Sequence, residues 1–97
     1  MTTPAEIIEA ASIATNTSRE EITGPVRTQR VSYARFLAML IYAEENPWSS
    51  NRDAANAVHR AEASTGLWGL RRARQLMETD QQFQTAYRKA KLTLASR

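Results

Sequence analysis

Apolar residues recur three and four positions apart along most of this chain, the spacing of one helical face, and no segment alternates as a strand would. Thr3-Pro4-Ala5-Glu6 combines a capping threonine, a proline suited to the first helical position and a glutamate able to reach back to the cap. Ile7, Ala10, Ala11 and Ala14 then share one face and predict a first helix. Ser18-Arg19-Glu20-Glu21 forms a second capping box and opens a very short helix that Gly24-Pro25 stops. The segment TGPVRTQRV holds two breakers and no apolar period, which predicts a loop carrying Arg27 and Arg30.

Ser32 is placed to cap a third helix, YARFLAMLIYAEEN, with Tyr33, Phe36, Leu37, Leu40, Ile41 and Ala43 on its inner side. This is the most apolar segment and the expected core helix. Asn46-Pro47 ends it, because a residue before proline resists helical dihedrals, and Trp48 is expected to plug the junction that follows. Ser49 or Ser50 caps a fourth helix whose inner face, Ala54, Ala57 and Val58, is made of small residues that let a neighbour approach closely. A fifth helix opens at Ser64-Thr65, turns Leu67, Leu70, Ala73 and Met77 inward, and carries Trp68, Arg71 and Arg72 outward with Arg74 at the flank. Thr79-Asp80-Gln81-Gln82 is a third box and starts a last helix with Phe83, Ala86, Tyr87, Ala90 and Leu94 on one stripe. The expected fold is an all-α domain of five to six helices spanning residues 1–97.

Composition narrows the chemistry. The chain has no cysteine, hence no disulfide and no thiolate metal site, and its lone His59 builds no zinc site by itself. No apolar run approaches the roughly 20 residues of a membrane-spanning helix. The opening MTTPAEIIEA lacks the positive start and apolar core of a signal peptide, so a cytoplasmic protein acting at the nucleoid is expected. Glu20-Glu21 and Glu44-Glu45 have capping or solvation roles, and no phosphate, metal or nucleophile motif accompanies them. No enzyme activity, metal or cofactor is therefore expected.

The net charge of +3 is unevenly placed. Residues 1–26 have a balance of −3, whereas residues 27–97 hold twelve basic and six acidic groups. Eleven of the thirteen basic residues are arginine, whose planar fork holds phosphates and guanine edges as lysine cannot. Charge alone fits a solvated surface equally well. The helix pair from Asn51 to Thr79 adds the parts of a DNA-binding helix-turn-helix, in which the second helix presents its N-terminal residues to base edges.

The order of these segments resembles the C-terminal DNA-binding domain of the bacterial chromosomal replication initiator, DnaA. The likeness runs from about Ile7 to Leu94: IIEA, then TSREEITGPVRTQRVSYARFLAMLIYA, the helix pair, and LMETDQQFQ. Ser18, Glu20, Glu21, Ile22 and Gly24 match the family's short second helix, and Ala34, Arg35, Ala38, Met39 and Leu40 match its ARxxAMxL helix. The resemblance implies a Trp-repressor-like helix-turn-helix fold that binds double-stranded DNA in replication initiation or its regulation. By position it implies that Arg27, Arg30 and Arg35 meet the DNA backbone, an arginine of the basic loop region entering the minor groove. Ser64 and Thr65 match the start of the reading helix, and Arg71 and Arg72 the basic residues after it.

The reading surface departs from the family's GGRDHSTV wording. Here the chain runs His59-Arg60-Ala61-Glu62-Ala63-Ser64-Thr65-Gly66, with Glu62 for the aspartate, Ala63 for the histidine and Arg60 one place early. Gly66 and Gly69 stand where helix formers are usual, each costing about 1 kcal/mol relative to alanine, and Trp68 is bulky where the family has a smaller residue. No Gly-rich phosphate loop is present, so no ATPase module is expected in these 97 residues. The residues expected to carry DNA binding are Arg27, Arg30, Arg35, Arg60, Glu62, Ser64, Thr65, Trp68, Arg71 and Arg72. An alternative expectation is a protein-interaction module derived from a DNA binder, anchored on a replication or regulatory partner through Trp68. Oligomeric state is not written in the pattern.

Overall fold

The most apolar stretch of the sequence becomes the helix around which the others are arranged. A computed structural model describes residues 2–60 and 63–96, and the described residues form helices and no strand. The helices are α1 (Pro4–Thr15), α2 (Arg19–Thr23), α3 (Gln29–Glu45), α4 (Asn51–Ala57), α5 (Ala63–Thr79) and α6 (Gln81–Ala95). Helix α3 touches all five others, and Val31, Ala34, Leu37, Ala38, Met39, Leu40 and Ile41 are buried around it. A helix buried on so many sides needs apolar residues on more than one stripe, which is why this segment is so rich in them. Helices α1 and α6 pack together on one flank of α3, and α4 and α5 on the other. The molecule measures 30 × 29 × 27 Å.

The first two predicted capping boxes are present. The Glu6 amide donates to the Thr3 hydroxyl oxygen at 3.2 Å, and the Glu21 amide to that of Ser18 at 3.1 Å, with the glutamates accepting in return. Ser50 caps α4 in the same way, with Asp53 as its reciprocal partner.

Two other starts move. Thr28, not Ser32, caps α3, accepting from the Val31 amide. The helix opens on two polar, exposed residues, Gln29 and Arg30, so its buried face begins only at Val31. Arg30 therefore stands in a helix, and only Arg27 remains in the connecting loop. At the other end Asp80 caps α6, receiving the Phe83 amide at 2.9 Å, while Thr79 is still the last residue of α5.

Trp48 does not plug the α3–α4 junction: it is 81% exposed. Asn46 fills that place, buried and donating from its side chain to the Tyr42 carbonyl. In α5 the inward set is Leu70, Ala73 and Leu76, with Met77 half-buried and Leu67 at the solvent edge.

Helix α4 ends at Ala57, where His59 turns the chain in a left-handed conformation (φ 62°). The amides of His59 and Arg60 close on the carbonyls of Asn56 and Ala55, satisfying oxygens that the helix end would otherwise leave open. Two glycines then explain how closely α5 approaches its neighbours. A Cβ at Gly66 would collide with the Asn51 carbonyl oxygen of α4, and one at Gly69 with the side chain of Met39 on α3. At Gly66 the low helix propensity is offset by backbone contact that only glycine permits, whereas at Gly69 the obstacle is the end of a flexible side chain.

Candidate functional site

Three arginines from separate segments converge beside the short helix α2. Arg35 is 6% exposed, and its guanidinium donates to the carbonyls of Ile22 (2.7 Å), Glu21 (2.8 Å) and Gly24 (2.6 Å). A helix leaves its last carbonyls without internal partners, and a cation there is favoured by the dipole as well. A five-residue helix is not stable alone. Buried Ile22, the Ser18 box and Arg35 together hold α2 in place. Arg35 was expected to face a phosphate. The structure turns it inward, because the open carbonyls of α2 lie within its reach.

Arg60, from the turn after α4, donates to the same Gly24 oxygen at 2.8 Å. Arg27 lies close enough that its charge, like that of Arg60, bears on Arg35. Burial first, then these two neighbouring cations, lowers the Arg35 pKa from the ordinary arginine value, although guanidinium stays protonated in proteins.

A groove of about 600 Å³ opens over this cluster. Arg27, Arg35 and Arg60 line one part of it, and Ser64, Thr65, Trp68 and Gly69 of α5 line another. Phe36, Met39 and Val58 contribute apolar walls, and Ser32 a hydroxyl. No carboxylate lines it among the described residues. Ser32, Phe36 and Met39 were missed as groove residues. Ser32 and Met39 stand three before and four after Arg35 on one helix, and Phe36 lies between them at four and three, which was the available signal. Six of the ten expected site residues thus meet at one groove: Arg27, Arg35, Arg60, Ser64, Thr65 and Trp68. Ser64 and Thr65 lie in the first turn of α5, which starts at Ala63.

The outer face of α5 continues from that groove. Trp68 is 66% exposed, and the Arg71 guanidinium lies over its ring, 5.7 Å from the centre. Arg72 and Arg74 are exposed beside it, Arg72 making one long contact of 3.4 Å to Gln75. Arg30 is elsewhere: it donates to the Asn16 carbonyl, pairs with Glu21 at 2.9 Å and borders a different hollow with Tyr33 and Phe83. Glu62 lies outside the described residues.

Comparison of the sequence with protein-family models and with curated proteins returns no match. The site residues supply concentrated positive charge, hydroxyls at the start of a helix, and an exposed aromatic with arginines around it.

Proposed function

We propose that this chain binds double-stranded DNA, with α4 and α5 acting as a helix-turn-helix and the arginine groove receiving the sugar-phosphate backbone. The observation that carries this reading is the groove without a carboxylate among its described residues, where Arg27, Arg35 and Arg60 crowd together at the foot of α5. Like charges held this close are relieved by a polyanion: Arg35 and Arg60, held on backbone carbonyls, add positive field, and exposed Arg27 is left to offer its fork to a phosphate. The Ser64 hydroxyl in the first turn of α5 adds a donor where a helix terminus also favours phosphate, and the Thr65 hydroxyl adds a group able to meet a base edge. The exposed α5 face supplies side chains of the kinds that read base edges. The resemblance to the DnaA C-terminal domain suggests a part in replication initiation or its regulation, with a recognition sequence of its own.

The test is a titration of the protein into a labelled duplex bearing an initiator-type box and into a scrambled duplex, at about 50 and 200 mM salt. Neutralising about four phosphates predicts roughly 150-fold weaker binding at the higher salt. Arg27→Ala should weaken binding to both duplexes alike, whereas Thr65→Ala should change the ratio between them. Absence of binding at the lower salt would remove this reading. The 66% exposure of Trp68 would then favour the second one, a protein partner anchored on that ring with little dependence on salt.

A further inference from the structure

The arginines near α5 differ in what already holds them. Arg35 and Arg60 are committed to backbone carbonyls, Arg30 to Glu21, and Arg72 leans toward Gln75. Arg71 makes no hydrogen bond or ion pair among the described residues; its contact is the Trp68 ring. The two residues are three apart and so are neighbours on the helix surface. The contact with the ring leaves the guanidinium N–H donors without a partner among the described residues and so open to a ligand. An arginine restrained in this way loses less freedom on binding than one waving in solvent.

We infer that Trp68 and Arg71 act as one unit that reads a thymine beside a guanine in the major groove, an inference that rests on the DNA-binding reading above. Guanine is the base that presents two acceptors there, O6 and N7, which an arginine fork spans. Thymine is the base that presents a methyl group, which an indole can cover. Side chains three apart on one helix face stand close enough to meet neighbouring base pairs, which follow one another at about 3.4 Å. Both residues belong to the exposed face of α5, which the buried pair Gly69 and Leu70 fixes on the opposite side. Arg72 and Arg74 flank the pair and are left for the phosphates on either side.

The experiment selects bound duplexes from a randomised library and then alters single atoms of the preferred site. The wild type should enrich a thymine adjacent to a guanine. Replacing that thymine by deoxyuridine, which removes only the methyl, should weaken wild-type binding roughly fourfold. Replacing the guanine by 7-deazaguanine, which removes N7, should weaken it roughly tenfold. Trp68→Ala should bind the thymine and deoxyuridine duplexes alike, and Arg71→Ala should ignore the loss of N7. Because the analogues act on the wild-type protein, the result does not depend on a variant folding. Salt-sensitive binding with no enrichment of that base pair of neighbours, or an unchanged deoxyuridine penalty in Trp68→Ala, overturns the inference and leaves DNA binding standing. No binding of the library at about 50 mM salt overturns both.

Discussion

Arg35 gathers the carbonyl oxygens of Glu21, Ile22 and Gly24 around a single buried guanidinium, and its position within a basic stretch gave no hint of that. The carbonyls lie eleven to fourteen residues upstream, so only the folded chain brings them to the side chain. Arg35→Ala leaves those oxygens and a cavity behind, and we expect a loss of about 2–3 kcal/mol of folding stability. Arg35→Lys should fall between, since a single ammonium cannot serve three oxygens spread across a fork. Urea unfolding followed by circular dichroism, run beside DNA affinity, decides the role. A midpoint that stays put while affinity collapses would return Arg35 to the phosphate contact implied by the resemblance. Arg27, in the loop and exposed, is the contrasting case: its removal should leave the midpoint nearly unchanged.

At the scale of elements, the α4–α5 pair depends on how near two backbones come. Glycine to alanine in a helix ordinarily stabilises by about 1 kcal/mol. Gly66→Ala should do the opposite, costing about 1–3 kcal/mol, because its methyl would meet the rigid Asn51 carbonyl of α4. Gly69→Ala meets the end of the Met39 side chain, which can swing aside, so its cost should be much smaller. Thermal melts of the two variants rank them, and equal melting points would contradict this account of the packing. The same glycines show where the sequence was and was not readable. Caps at Thr3, Ser18 and Ser50 were legible because the signal is local, one side chain and a residue three places on. The start of α3 was not, since exposed Gln29 and Arg30 hide a first turn that only Thr28 announces. Trp48 read as core because tryptophan is apolar, yet the junction it follows was already filled by Asn46. Of the candidate site, the hydroxyls and arginines were visible as residue types. Which arginines face inward was not, because that depends on carbonyls brought from another helix.

For the whole molecule, two carboxylates tie outer helices to the central one. Glu21 receives the Ser18 amide and hydroxyl and pairs with Arg30 of α3, and the backbone bond is the chief cause of its lowered pKa. Asp80 receives the Phe83 amide, its chief cause, and the Tyr33 hydroxyl of α3 at 3.1 Å, and its pKa is lowered as well. Since both values lie below the ordinary 4.5 and 3.8 of the unfolded groups, their contribution is full above about pH 5 and drains as pH falls through the folded values. Melting temperature should therefore hold between about pH 5 and 7 and fall in acid, with a shallower acid limb in the Glu21→Gln, Asp80→Asn double variant. An acid limb as steep as the wild type's would assign the loss to other groups. One further property follows from the Gly24 carbonyl, where Arg35 of α3 and Arg60 of the α4–α5 turn end on the same oxygen. The loop that carries Arg27 begins at that residue, so this loop and the turn that ends α4 share an anchor. In the DNA-binding reading proposed above, such a molecule would act as a ruler. In that reading, inserting one base pair between the positions proposed for Arg27 and for α5 shifts them by about 3.4 Å and rotates them about the duplex axis, and binding should weaken, whereas a jointed reader would absorb the change.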